Sequence, residues 1–148
     1  MPHARESVTI MQPREKIYQF WRGLENLPRF MHHLESVQAN GDGLSHWVAK
    51  GPAGTKIEWD AEILDDRPNE KIVWQSMPGA DVPNSGSVSF DSVGDRETQI
   101  TVDLEYEPPA GSVGAAVAKL FGEEPGQQLR DDLGRLKQAL EGIAPRVD

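Results

Sequence analysis

At 148 residues the chain is long enough to bury a real core and too short for two ordinary domains, so it reads as one domain over residues 1–148. A formal charge of -9, with no lysine or arginine run, excludes partners held by their phosphates, namely nucleic acid or an anionic membrane surface. With no cysteine, no bilayer-length apolar run and no apolar signal-peptide core at its start, the chain is expected to be cytoplasmic, without disulfides, thiolate chemistry or stable membrane insertion.

Glu6 to Met11 alternates, with Val8 and Ile10 on one face, and reads as a first strand. Pro13 suits a first helical position. Ile17, Phe20, Trp21 and Leu24 then recur at helical spacing through Gly23, and a second brief helix is expected over Leu27 to His33. From Glu35 onward the pattern becomes short strands separated by turn clusters, the signature of an antiparallel meander. Six more strands are expected: Glu35–Ala39, Ser45–Lys50, Lys56–Leu64, Lys71–Met77, Ser85–Phe90 and Thr98–Tyr106. Two alternate clearly. Ile57, Trp59, Ala61 and Ile63 oppose Glu58, Asp60 and Glu62, and Ile100, Val102, Leu104 and Tyr106 oppose Gln99, Thr101, Asp103 and Glu105.

The last third, Gly111 to Ile143, is the only segment long and periodic enough for a helix that many strands could share. Leu129, Leu133, Leu136, Leu140 and Ile143 form one stripe, while Arg130, Asp131, Arg135, Lys137 and Glu141 are assigned to water. Val113, Val117, Leu120 and Phe121 form a shorter stripe upstream. Gly122-Glu123-Glu124-Pro125 interrupts the two, because proline removes a backbone donor and clashes with the preceding turn. An amphipathic helix must be covered, and the sheet is what can cover it.

This order of elements, with Pro13-Arg14-Glu15-Lys16-Ile17-Tyr18-Gln19-Phe20-Trp21, Glu25-Asn26-Leu27-Pro28-Arg29-Phe30-Met31, Trp47-Val48-Ala49-Lys50-Gly51-Pro52-Ala53-Gly54 and Asp66-Arg67-Pro68-Asn69-Glu70, resembles the START/Bet v 1-like (SRPBCC) superfamily. Within it the chain looks like the bacterial polyketide cyclase/dehydrase-like and coenzyme Q-binding START groups. The resemblance implies an α+β helix-grip fold: a curved seven-stranded antiparallel sheet, β-α-α-β6-α, around a long C-terminal helix. It implies an apolar cavity between sheet and helix holding a polyketide, an isoprenoid quinone or a lipid, or an aromatase/cyclase or dehydrase using the same cavity. The superfamily's fold does not choose between binding and catalysis.

The residues themselves name no nucleophile and no phosphate loop, and no cofactor is expected. His32 and His33 point about 100° apart on a helix and cannot chelate one ion from one face, so no metal is expected. His33 and His46 read as solvated surface histidines rather than lone bases, and Glu58, Asp60 and Glu62 as a wet sheet face rather than an acid/base pair. The aromatics support two readings. Trp47, Trp59, Trp74, Phe90 and Tyr106 fall on inward positions, as ordinary core or as the wall of a ligand cavity. On the second reading the wall comprises Trp47, Trp59, Ala61, Trp74, Ser76, Val88, Phe90, Leu104, Tyr106, Val117, Phe121, Leu129 and Leu133, with Ser76, Tyr106 and the indole N–H groups able to orient a ligand oxygen. Strand parity puts the turns 51–54, 78–86 and 108–111 at one end of the sheet, with Asp81 their only charged residue; that rim is the expected portal, and 113–121 an expected lid. The expected partner is a hydrophobic small molecule, and the expected state a monomer or weak homodimer.

Overall fold

The computed structural model describes residues 3–50, 54–106 and 125–142. Seven strands, β1 (His3–Ile10), β2 (Leu34–Gly41), β3 (Leu44–Lys50), β4 (Lys56–Arg67), β5 (Lys71–Ser76), β6 (Asn84–Gly94) and β7 (Glu97–Tyr106), form one curved antiparallel sheet in the order β1-β7-β6-β5-β4-β3-β2. Between β1 and β2 lie α1 (Arg14–Arg22) and a 3-10 helix (Leu24–Arg29), and the C-terminal helix α2 spans Pro125–Gly142. This is the expected α+β helix-grip architecture. Among the described residues, no helix is long and apolar enough to cross a membrane.

The meander follows from local chemistry. β2 and β3 are joined by Asp42 and Gly43, both at positive φ (54° and 76°), the geometry of a two-residue hairpin whose twist suits the flanking strands. On β4, Ile57, Trp59 and Ala61 are buried; a register shift between Ile63 and Asp65 then breaks the alternation and leaves Leu64 54% exposed. The segment between β5 and β6 folds back on β4, where Met77 N–H donates to Asp60 O at 2.7 Å and the Asp81 carboxylate accepts from Glu58 N–H at 2.9 Å. Val82 is buried there, while Gly54, Pro78, Gly79, Asp81 and Pro83 of the expected rim are exposed.

The second brief helix differs from expectation. It starts at Leu24, ends at Arg29 and is 3-10 rather than α, with Pro28 inside it, because proline cannot donate the bond that would extend an α-helical turn. α1 is tied to the far end of β4, where the Tyr18 hydroxyl donates to Asp66, and Arg22 Nε donates to the same carboxylate at 2.8 Å. Burial, then the Asp66 contact, pushes the Tyr18 pKa up to about 12.

Helix α2 begins at Pro125, the residue where the sequence interruption was expected; the 113–121 segment and Ile143 lie outside the described residues. Leu129, Leu133, Leu136 and Leu140 are all buried. The opposite face is less wet than expected. Lys137 Nζ donates to Thr9 O at 2.6 Å, Arg135 Nε to Phe30 O at 2.8 Å, and Met11 N–H to Glu141 Oε2 at 2.7 Å. Arg130 meets both oxygens of Glu6 at 3.2 Å. Long basic side chains thus tie the helix down on both flanks of its apolar stripe.

Leu133 is 1% exposed and filled around by core residues. Leu133→Ala should therefore cost about 2–5 kcal/mol in urea-induced unfolding. A loss below about 1 kcal/mol would mean that the stripe is not packed.

Candidate functional site

A cavity of about 80 Å³ lies between the concave face of the sheet, the helices that follow β1, and the N-terminal half of α2. Trp21 of α1 and Leu24 and Leu27 of the 3-10 helix close one side, together with Met31, His33 and Leu34. The sheet contributes Ser45 and Trp47 of β3, Trp59, Ala61, Glu62 and Ile63 of β4, Ile72 and Trp74 of β5, Asn84 of β6, and Val102, Leu104 and Tyr106 of β7. Gln128, Leu129 and Asp132 of α2 are the remaining wall residues among those described. The volume is several times the roughly 10–15 Å³ that one enclosed water needs.

Strand register explains how the aromatics converge. Trp47 and Trp59 are direct partners across β3 and β4, with stacked rings 5.8 Å apart and 18° from parallel. Trp47 Nε1 donates to the buried Ser45 Oγ at 2.8 Å, which fixes the indole. Trp74 sits opposite Gly86, where an added Cβ would lie 2.5 Å from the Trp74 ring and 2.6 Å from Asp103 O. Only glycine leaves that ring its place. Burial raises the pKa of the Tyr106 hydroxyl above its ordinary value.

Of the residues expected around such a space, Trp47, Trp59, Ala61, Trp74, Leu104, Tyr106 and Leu129 are on its wall. Val88, Phe90 and Leu133 are instead packed into the core, at 0%, 1% and 1% exposure, because Phe90 meets the Tyr18 edge at 5.7 Å and α2 seats Leu133 directly on the sheet. Ser76 is also off the wall: its Oγ accepts from Asn84 N–H at 3.0 Å and holds the start of β6. Val117 and Phe121, like residues 51–53 and 108–111 of the expected rim, lie outside the described residues.

The two histidines part company. His46 is on the outer face, its ring nitrogens 2.8 Å from Asp60 and 2.9 Å from Glu58, and those two hydrogen bonds, Asp60 first, raise its pKa. His33, expected to be solvated, is inside, because the chain turns from the 3-10 helix into β2 and lays the ring against the cavity beneath α2. Burial, helped by Arg135, His32 and Lys50, pushes its pKa down to about 4, so the imidazole is neutral at pH 7.

The residue not singled out by sequence reasoning is Asp132. Its carboxyl is 2% exposed; one oxygen is bonded to Arg135, and Oδ2 lies 3.8 Å from His33 Nδ1. Burial, outweighing the attraction of Arg135, pushes its pKa up to about 7. A signal was present: 132 falls between Leu129 and Leu136 at helical spacing, so the only stripe position that is not apolar carries a carboxyl.

These two shifts have opposite signs in stability. Asp132 holds its proton in the folded state up to about 7 but loses it near 3.8 when unfolded, so its contribution falls as pH rises between those values. His33 takes a proton near 6.5 when unfolded but only near 4 when folded, so its contribution falls as pH drops through that window. Each slope is at most about 1.4 kcal/mol per pH unit, and in the wild type they offset. Urea titrations from pH 4 to 6.5 should show stability rising with pH in Asp132→Asn and falling with pH in His33→Gln. Parallel profiles in the two variants would contradict this placement of the pair.

Among known proteins, the model of the family described as polyketide cyclase / dehydrase and lipid transport matches residues 10–133. The crystal structure of DR_A0006 from Deinococcus radiodurans is 40% identical, with a TM-score of 0.75 over 94% of this chain and 97% of that one. An uncharacterized 17.2 kDa protein of Streptomyces lincolnensis, from the melC2-rnhH intergenic region, is 28% identical over 144 residues, 95% of this chain and 91% of its own. The Zhui aromatase/cyclase from Streptomyces sp. R1128 has a TM-score of 0.71 over 96% of this chain and 97% of its own at 15% identity, a likeness of fold alone.

Proposed function

Because the chain belongs to the polyketide cyclase / dehydrase and lipid transport family, we propose that it binds a hydrophobic small molecule, of the polyketide, isoprenoid quinone or lipid kind, between its sheet and α2. One observation carries this reading: all four tryptophans of the chain line a single cavity. Aromatic side chains surrounding unfilled apolar space, with a few polar groups among them, are the usual form of a small-molecule site. Trp47, Trp59, Trp74, Leu104, Tyr106 and Leu129 are the residues proposed to touch the ligand. A second reading, an enzyme of the cyclase or dehydrase kind working in the same space, is favoured by the inward pair His33 and Asp132, since perturbed ionisable groups in a cleft are what proton transfer requires.

Titration with a short-chain quinone should quench tryptophan fluorescence saturably. Gly86→Ala, which drives the Trp74 ring from its seat, should weaken that binding about tenfold or more. Unchanged affinity in a folded Gly86→Ala protein, or no saturable quenching in the wild type, would overturn the binding reading.

A further inference from the structure

We propose that the cavity takes a compact organic cation, an apolar ring bearing a protonated amine, with the ammonium set against the indoles and the Asp132 carboxylate. The proposal rests on the binding reading above and narrows it to ligands of one charge.

Two features of the wall point the same way. All four tryptophans and Tyr106 border the space, and the face of an aromatic ring is its negative side, which attracts a cation within about 6 Å of the ring centre. The positive edge of one indole is already engaged, since Trp47 Nε1 donates to Ser45 Oγ at 2.8 Å. The second feature is charge. Glu62 of β4 and Asp132 of α2 are on the wall, and no lysine or arginine is among its described residues.

Asp132 separates the possible ligand charges. Its carboxyl is 2% exposed, and a carboxylate so placed is destabilising unless compensated. Arg135 donates to Oδ1, but the same guanidinium donates to Phe30 O and is not part of the wall. Oδ2 lies 3.8 Å from His33 Nδ1, too far for a hydrogen bond, so that ring does not satisfy it. A neutral apolar ligand would cover this oxygen without pairing it, and an anion would be repelled by it. An ammonium both pairs with the oxygen and donates to it.

The other titratable groups around Asp132 leave this preference in place. Arg135 opposes a second cation, yet the Asp132 pKa stands at about 7, so the guanidinium does not offset the burial of the carboxylate, and Asp131 on the same helix adds like charge. His33, from the segment before β2, is held neutral by burial, with Arg135, His32 and Lys50 adding to the effect. Tyr106 of β7, its pKa raised by burial, stays uncharged. Binding is thereby coupled to a proton. Near pH 7 a bound ammonium favours the ionised form of Asp132 and should release about half a proton per complex.

Titration calorimetry with benzylamine, benzyl alcohol and benzoate, three one-ring probes that differ in charge, tests the proposal at pH 7. Benzylamine should bind at least about tenfold more tightly than benzyl alcohol, with benzoate weakest. Its binding heat should differ between phosphate and Tris buffers, as proton release requires. In Asp132→Asn the advantage of the amine over the alcohol should shrink to about twofold or less. Benzyl alcohol binding as tightly as benzylamine, or benzylamine binding equally to the wild type and Asp132→Asn, would overturn the cation proposal and leave the binding reading standing. So would quenching by the short-chain quinone with no benzylamine binding. Failure of the quinone and of all three probes would end both. If Asp132→Asn does not fold, Gly86→Ala takes its place: it displaces the Trp74 ring, and an unchanged benzylamine affinity there overturns the proposal.

Discussion

The fold depends on one act of burial: the leucine stripe of α2 must lie against a concave sheet, and everything else arranges for that contact. Helix α2 runs beside β1, where Glu6 holds Arg130, Thr9 O accepts from Lys137 and Met11 N–H donates to Glu141. Leu133, Leu136 and Leu140 meet the sheet in the C-terminal half, where Ile10 and Phe90 are also fully buried. Gln128, Leu129 and Asp132, in the N-terminal half, face the cavity. One half of the grip is core and the other is wall, and close packing in the first keeps the second open.

What could be read from sequence was what depends on local periodicity. The period of two on β4 and β7 and the spacing of the leucines on α2 predicted strands, helix and inward faces, because burial on one side imposes those periods directly. Pro28 fits the first turn of a helix expected from Leu27, but the helix starts at Leu24 and leaves Pro28 inside it, with Phe30 packed against Phe20 and Trp21, contacts that no local pattern shows. Inward residues could not be divided locally into wall and core. Phe90 and Trp74 share a pattern, and what separates them is that Tyr18 covers one and Gly86 seats the other. His33 failed as a surface residue for the same reason: no neighbour in sequence indicates that α2 will lie over it. Asp132 was legible in principle, through the gap it makes in an apolar stripe, but a search that follows only apolar residues passes over it.

The rings that bound the cavity are held by the backbone rather than by a ligand. Trp47 and Trp59 are fixed by strand register and by Ser45, and Trp74 by the absence of a Cβ at Gly86. A wall built this way loses little side-chain entropy on binding, which favours affinity for molecules that fit. It also limits size. About 80 Å³ is well below the roughly 300 Å³ at which drug-sized pockets begin, so a molecule of one or two rings enters as the wall stands, whereas a longer chain must displace an indole or extend beyond the described wall.

Charge is distributed to the same effect. On the outer face, Glu58 and Asp60 bracket His46 in water, where each interaction is worth little and serves solubility. On the cavity wall, which Glu62 also lines, the Asp132 carboxyl is buried, and burial raises its pKa against the attraction of Arg135. Arg135 reaches Asp132 while also donating to Phe30 O, so the same guanidinium joins α2 to the end of the 3-10 helix and tunes the group that faces the cavity. Positions that break a local rule at a cost in stability are where function is best sought, and here the break in the stripe and the opening of the cavity coincide at one residue.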